Sequence, residues 1–480
     1  MASSRGLAIG VLVFASFMDL MDATIVNVAL PSIRADLQAT PAQLEWTVGG
    51  YLLAFAVLMI TGGRLGDIFG RQRIFVIGVL GFTVGSTLAC VAPSADVLVA
   101  ARVLQGAFAA LMVPQTLSSV QALFSPRERA PIYGVIGAVS GLSAVIGPVL
   151  GGWMISSDAF GIGWRSVFLI NLPIGLVLIV LAVKFVPNTR SQNPLRLDLV
   201  GVALASLGLL GVVYPIIEGR QQGWPAWIWA MGAAGVAVLG VFVVQQRRRE
   251  RGDGSALLPM HLFANRGFSA GLVTQATFQG AMAAFALITV IFLQVGLGFT
   301  AMHAGLTLLP FSLGAFVGVG VAVPLGVRVG KLIMVAGGGM QSLAVVWTLL
   351  VVRAQGDGLG ALDLVPPLLV AGIGLGLLVV PLIDVALATV PTGDAGAASG
   401  AYGTVQQVGA ALGVAVVGVV FFGVVGTTYT ADSLRHALLV AGWVPIAGYA
   451  MAALASLLLP ARADVLAHVE AQARELELAA

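Results

Sequence analysis

The stretch Leu12-Val13-Phe14-Ala15-Ser16-Phe17-Met18-Asp19-Leu20-Met21-Asp22-Ala23-Thr24-Ile25-Val26 has two charged residues, Asp19 and Asp22, in an otherwise largely apolar run. Composition decides whether such a run is buried core or membrane span. The chain has 480 residues, of which 59% are hydrophobic and only 9% charged, and its mean hydropathy is strongly positive. A soluble chain of that size would lack the charged surface that keeps it dispersed, so this one belongs in lipid. An ionisable group at bilayer depth costs roughly several kcal/mol and persists only where it is paired or does work. Asp19 and Asp22 are therefore the first candidates for function.

The same composition excludes several classes. A formal net charge of +3 is carried mostly by loop arginines, and no basic soluble domain exists to bind nucleic acid. The lone Cys90 rules out an internal disulfide framework or a cysteine-rich metal site. Arg5 ahead of the first apolar run mimics a signal peptide. The run is too long, contains acids and lacks a cleavage site, so it reads as an uncleaved first helix.

Apolar runs long enough to cross a hydrocarbon core of ~30 Å fall at 7–30, 45–64, 74–93, 97–120, 132–155, 166–186, 199–217, 226–246, 267–296, 303–324, 331–352, 364–388, 401–426 and 437–459. They predict fourteen transmembrane helices in an all-α membrane protein. Lysine and arginine placement tests that number, because a wrong count would scramble their sides. With the N-terminus in the cytoplasm, the inner segments hold Arg5, Arg64, Arg71, Arg73, Arg127, Arg129, Lys184, Arg190, Arg196, Arg247, Arg248, Arg249, Arg251, Arg266, Arg328, Lys331, Arg462 and Arg474. The outer segments hold only Arg34, Arg165, Arg220, Arg353 and Arg435. Both termini are thus expected in the cytoplasm. The tail 460–480 carries Val465, Leu466, Val469 and Leu476 in an amphipathic pattern suited to lying on a surface.

Between the second and third spans lies Gly62-Gly63-Arg64-Leu65-Gly66-Asp67-Ile68-Phe69-Gly70-Arg71-Gln72-Arg73. Glycines allow helix ends and their loop to approach closely, while Asp67 suits an arginine or a helix N-terminus. This loop resembles the signature of the major facilitator superfamily. The resemblance implies two six-helix bundles, with Gly63, Asp67, Gly70 and Arg71 latching the halves in the outward-open state. The segment Pro324-Leu325-Gly326-Val327-Arg328-Val329-Gly330-Lys331 is a degraded echo without the acid, as duplicated halves would leave.

Three further segments are similar to the fourteen-helix drug:proton antiporter-2 branch of that superfamily. Leu20-Met21-Asp22-Ala23-Thr24-Ile25-Val26-Asn27-Val28-Ala29-Leu30-Pro31 looks like its first-helix motif, with Asp22 in the acidic position. Arg102-Val103-Leu104-Gln105-Gly106 resembles the motif whose buried arginine is implicated in proton coupling. Gly134 followed by Gly147-Pro148-Val149-Leu150-Gly151-Gly152 resembles the antiporter motif, although Ser143 stands where another glycine is usual. The run Trp164-Arg165-Ser166-Val167-Phe168-Leu169-Ile170-Asn171-Leu172-Pro173-Ile174-Gly175 also resembles this branch, and an interfacial Trp and Arg anchor would explain its start. The resemblance divides the chain into a bundle at 1–186, a linker with two extra helices at 187–266, a second bundle at 267–459 and a tail at 460–480.

Physical readings stand beside these likenesses. Arg102 in lipid needs an acceptor, which a facing carboxylate or helix carbonyls would supply, and a purely structural polar clamp is the alternative. Paired glycines and Gly-Pro permit close helix contact and a bend, so packing alone would account for them in an isolated helix. Gly372-Ile373-Gly374-Leu375-Gly376 lies within a span with no preceding strand, which makes it a packing surface rather than a phosphate loop. Asp384 is a third deep acid, suited to coupling, cation recognition or the interface. Gln115, Gln275, Gln279, Gln294, Gln341, Tyr402, Gln406 and Gln407 are candidates to line a substrate cavity or to hydrogen-bond between helices.

Asp19 and Asp22 are i and i+3, on nearly one helix face. Burial and mutual repulsion disfavour double ionisation, and a nearby Arg102 opposes both. That competition suits proton coupling, so the expectation is alternating-access efflux of amphipathic drugs or antibiotics, apolar or cationic, against entering protons. One charge crossing ~100 mV is worth about 2.3 kcal/mol, roughly a fifty-fold gradient, and no phosphate-binding loop or ATPase domain is present. The expected setting is the bacterial cytoplasmic membrane, as a monomer, with lipid, protons and a small molecule as partners and without a cofactor. A nutrient facilitator or importer would share the fold. An embedded enzyme would need clustered acids and histidines, whereas His261, His303, His436 and His468 are scattered. A sensor would bind a ligand without moving it.

Overall fold

The structure, a computed structural model, describes residues 2–124, 126–158, 161–190, 198–219, 222–252, 256–388, 390–391, 394–426 and 430–460. The predicted tail helix lies outside the described residues except for Pro460, as do Arg196, Arg220, Arg462 and Arg474. Among the described residues the regular structure is helical: α1 (Ala2–Leu37), α2 (Pro41–Phe69), α3 (Arg71–Cys90), α4 (Ala95–Leu123), α5 (Pro126–Ser157), α6 (Ser166–Leu169), α7 (Asn171–Phe185), α8 (Leu199–Glu218), α9 (Ala226–Arg251), α10 (Arg266–Ile291), α11 (Ala301–Val329), α12 (Leu332–Gln355), α13 (Val365–Ala388), α14 (Ala395–Val425), α15 (Ala431–Ala441) and α16 (Trp443–Ser456). Short helical turns join some of them, including a π-turn at Phe292–Gly296 after α10.

Among the described residues thirteen spans are long and apolar enough to cross a membrane, with α6–α7 and α15–α16 each counted as one. Helix α5, at 32 residues, is the fourteenth helix of membrane length. In lipid every backbone polar group must bond within its own segment, which is why apolar runs become helices here. The interruptions follow the prolines. Pro173 and Pro445 lack the N–H that would bond four residues back, and each follows a break, at Ile170 and at Gly442. Polar caps set other boundaries. Thr40 and Gln43 form a reciprocal capping box at the start of α2, and the Asn265 side chain accepts from Gly267 and Phe268 N–H at the start of α10. Gly70, with φ of 103°, makes the turn between α2 and α3.

The chain forms two compact units. One comprises residues 1–123, 142–260 and 391–404. Its helices cross at small residues: a Cβ on Gly62 would fall 2.0 Å from Ala110 O, and one on Gly106 would fall 2.2 Å from Tyr51 O. Without a water-driven hydrophobic force between membrane helices, such close backbone approach supplies the association. Around these crossings pack Leu12, Met18, Phe55, Phe75, Phe82 and Leu178, with Ile25, Ala29, Trp164 and Phe168 toward the far end of α1. The hairpin α8–α9 crosses at Gly211 and Gly235 and meets α2 through Tyr214 against Trp46, with ring centroids 5.6 Å apart. At its base, Asp198 is buried and accepts from Gly201 N, Gln245 Nε2 and Gln246 Nε2.

The other unit comprises residues 124–141, 261–390 and 405–480. Here α11 and α13 run in contact through Gly314, Gly318, Gly372 and Gly376; a Cβ on Gly372 would meet Phe311 O at 1.9 Å. Gly374 faces Gly337 O of α12 instead. The glycine-rich run of α13 is thus spent on helix packing. Lys331 Nζ donates to Leu457 O and Leu459 O, satisfying carbonyls just beyond the end of α16.

Candidate functional site: a buried ion pair between α1 and α4

Asp22 and Arg102 meet inside the first unit. Arg102 Nη1 donates to Asp22 Oδ2 at 2.5 Å, and both side chains are buried. Asp22 Oδ1 accepts from Gln105 Nε2 at 3.0 Å and from Asn171 Nδ2 at 2.6 Å. Three helices thereby converge on one carboxylate. Arg102 is held in turn by Gln105 Oε1 at 2.6 Å and by Thr47 O, which accepts from Nε at 3.1 Å. Its guanidinium lies 4.2 Å from the centroid of the Tyr51 ring, a cation–π contact in a desolvated setting. Asn171 also donates to Ser86 Oγ, which itself donates to Phe168 O. Asn171 Oδ1 is buried without a hydrogen-bond partner among the described residues.

The local sequence explains the convergence. Arg102 and Gln105 are i and i+3 on α4 and share a face. Asn171 opens α7 at the break that Pro173 follows, so its amide leaves the lipid-facing surface and turns inward. Asp19, one turn before Asp22, is also buried and accepts the hydroxyl hydrogen bond of Tyr51, whose ring lies beside Arg102. The two acids of the opening stretch thus share one polar cluster through different partners. Burying an ion pair costs desolvation that its attraction recovers only when the remaining lone pairs and protons are satisfied. Asp22 meets that condition with three donors.

Two of the antiporter-like glycines, Gly147 and Gly151, lie against α1. A Cβ on Gly147 would fall 2.0 Å from Thr24 Oγ1, and one on Gly151 would fall 2.6 Å from Ile25 Cγ1. Thr24 Oγ1 is 3.3 Å from Ser143 O, so the position where the motif departs from its pattern still meets α1 through its backbone. Pro148 is half-buried between them, Gly134 is buried earlier on α5, and Gly152 faces open space.

The loop residues form a second cluster. Asp67 accepts from the backbone N–H of Gly396 at 3.1 Å and of Ala397 at 3.2 Å, in the first turn of α14, and from Arg71 Nη2 at 2.9 Å. A helix N-terminus leaves such N–H groups without intrahelical partners, and its dipole favours the carboxylate. Gly63 makes the approach feasible, since a Cβ there would fall 2.0 Å from Gly396 O. Arg64 Nη1 lies 3.6 Å from Asp394 Oδ1.

The other candidates are dispersed. Gln115 donates to Gly62 O and Leu111 O, which makes it part of the α2–α4 packing. Gln275, Gln341 and Tyr402 are buried, Gln279, Asp384, Gln406 and Gln407 are half-buried, and Gln294 is exposed. Gln105, Asn171, Ser86, Thr47 and Tyr51 were not singled out in the sequence. Gln105 and Asn171 sit inside the quoted motif runs, so a polar residue in an apolar span was the available signal. Thr47 O and the Ser86 hydroxyl left none.

Among the described residues, helices of membrane length around a buried, hydrogen-bonded ion pair mark a multi-pass membrane protein. The family description "Major Facilitator Superfamily" matches residues 12–414, and the chain belongs to that superfamily. It is 43% identical over 429 residues to the "Probable actinorhodin transporter" of Streptomyces coelicolor, covering 89% of this chain and 74% of that one. It is 32% identical over 430 residues to the "Tetracenomycin C resistance and export protein" of Streptomyces glaucescens, covering 88% and 76%. The solved proton:xylose symporter XylE has the same fold, with a TM-score of 0.65 at 14% identity over 95% of each chain. Its relatives at 32–43% identity thus include named antibiotic transport, resistance and export proteins. The protein is therefore a small-molecule transporter rather than an enzyme, and its bacterial homologues reside in the cytoplasmic membrane.

Proposed function

We propose that this protein exports amphipathic drugs or antibiotics, cationic ones among the candidates, in exchange for protons by alternating access, with Asp22 as the group that loads and releases the proton. The observation that carries this reading is the convergence of Arg102, Gln105 and Asn171 on the buried Asp22 carboxylate. Proton arrival on Asp22 cancels its charge and leaves the Arg102 cation without its counter-ion at membrane depth, a state that favours rearrangement of α1 against α4. Proton departure restores the pair. Asp19, held by Tyr51, is placed to tune its neighbour or to meet a cationic substrate, and Asp384 is a secondary acid in the second unit. Asp67, Arg71, Gly63 and Gly70 act as the conformational latch, through the first turn of α14. Both termini lie in the cytoplasm, the side that the arginine-rich loops select. The protein works as a monomer in this reading.

The relatives named a probable actinorhodin transporter and a tetracenomycin C resistance and export protein support efflux over nutrient uptake. The test is Asp22→Asn in everted vesicles challenged with a panel of antibiotics and lipophilic cations. Substrate-induced proton release is expected to vanish. Release that persists undiminished would remove Asp22 from the coupling role.

A further inference from the structure

Three consecutive residues, Gly70 between α2 and α3 and Arg71 and Gln72 at the start of α3, hold the end of α7 and the chain leaving it. Gly70 stands against Asn188 so closely that a Cβ would fall 2.2 Å from Asn188 Oδ1, at a φ of 103° that only glycine adopts readily. Arg71 N donates to Thr189 O at 2.8 Å, and Arg71 Nη1 lies 3.4 Å from Thr189 Oγ1. Gln72 Nε2 donates to Ala182 O and Val183 O, both at 3.1 Å, satisfying carbonyls in the last turn of α7. Thr189 N in turn donates to Pro187 O at 2.9 Å, which fixes the local fold of the segment.

Arg71 is therefore gripped from two directions. Its Nη2 reaches Asp67, which binds the first turn of α14, while its backbone and Nη1 reach Thr189. A guanidinium presents its donors in a fixed fork, so anchoring one arm orients the other. Direct contacts thus run from Thr189 through Arg71 and Asp67 to Gly396. A plain cap on α7 would need only Gln72, and it would leave the Gly70–Asn188 approach and the Arg71–Thr189 contacts without a purpose.

We infer that Asn188 and Thr189 are positioning residues of the latch: they hold Arg71 in register for Asp67, so that freeing the first turn of α14 also frees the segment that leads toward the extra hairpin α8–α9. This rests on the reading of Asp67 and Arg71 as a latch. Such contacts need not touch substrate to set the rate of conformational exchange, because they bias one state of a two-state element.

The experiment uses the full chain in proteoliposomes, with Cys90→Ser and a reporter Ser399→Cys in the buried first turns of α14, alkylated by N-ethylmaleimide. Asp67→Asn should raise the alkylation rate. Thr189→Val, and more strongly Asn188→Gly/Thr189→Gly, should raise it roughly two- to tenfold, the worth of one net hydrogen bond. Thr189→Ser should match the parent, and Thr189→Val added to Asp67→Asn should give no further increase. The inference is overturned if Asp67→Asn raises the rate while both linker variants leave it at the parent value, or if the effects multiply independently. If Asp67→Asn itself changes nothing, the latch reading fails and takes the inference with it. Thermal unfolding in detergent, expected to be unchanged for Thr189→Val, separates a loosened latch from a damaged fold.

Discussion

Arg102 Nη1 and Asp22 Oδ2 are 2.5 Å apart, with side-chain exposures of 1% and 0%. Removing one member of such a pair strands the other charge, at a cost of about 3–5 kcal/mol, whereas removing both is often nearly neutral. Asp22→Asn and Arg102→Gln alone should each lower the thermal unfolding temperature in detergent. The double variant should recover most of that loss and still not couple transport to protons. Recovery of proton-driven efflux in the double variant would show that the pair is a structural clamp.

Asn171 gives a second, independent handle. Its amide donates to Asp22 and to Ser86 from a fully buried position. A hydrogen bond to a charged acceptor is worth about 1.5–3 kcal/mol, so Asn171→Leu should slow efflux by roughly tenfold or more at unchanged expression. Its pH profile should also change shape, because Asp22 would lose one of its donors. An unaltered pH profile with a merely lower rate would assign Asn171 to packing.

Much of this arrangement was legible in the sequence, and the physical reason is the membrane. Apolar length fixes each span, and a charge inside a span must find a partner, so Asp22 and Arg102 stood out, with a carboxylate or helix carbonyls expected opposite Arg102. The Gly63–Asp67–Arg71 loop was readable because glycine spacing and a lone acid announce close approach. The Thr47 carbonyl on Arg102, the Ser86 hydroxyl on Asn171 and the amides of Gly396 and Ala397 on Asp67 were not. They are backbone groups or ordinary helix hydroxyls, and only tertiary placement selects them from dozens of equivalents. The glutamines show the converse ambiguity. Gln115 has the polarity of a cavity residue, but its amide is used on Gly62 O, and sequence alone does not distinguish the two uses.

The glycines make a graded prediction. Gly63→Ala would place a Cβ 2.0 Å from Gly396 O, a backbone atom that cannot rotate away, so α2 and the first turn of α14 must separate. A strong loss of transport is expected. Gly151→Ala meets the Ile25 side chain at 2.6 Å and should cost less, since a side chain can shift. Gly152→Ala meets nothing within 4 Å, and its change in unfolding temperature should correspond to no more than about 0.5 kcal/mol. A ranking that instead follows the motif, with Gly152 as sensitive as Gly151, would mean that the glycines act in another conformation.

Outside the spans, Asp36 ties the end of α1 to the start of α6. Its Oδ2 accepts from Arg165 Nη1 at 2.5 Å and from Trp164 Nε1 at 3.0 Å, and Arg165 Nη2 also donates to Ala92 O. The Arg165 hydrogen bond, then that of Trp164, holds the Asp36 carboxyl below its ordinary range. An acid depressed in the folded state adds stability above its unfolded value, about 3.9, and that stability fades as pH falls through the lower folded value. The pair is half-exposed, so its worth is at most about 1 kcal/mol. Wild type should therefore unfold at a slightly higher temperature than Asp36→Asn at pH 7, and the two should converge as pH drops below the carboxylate range. A difference that persists or grows in acid would mean that Asp36 acts through its shape rather than its charge, and Arg165→Gln should then leave the acid response untouched.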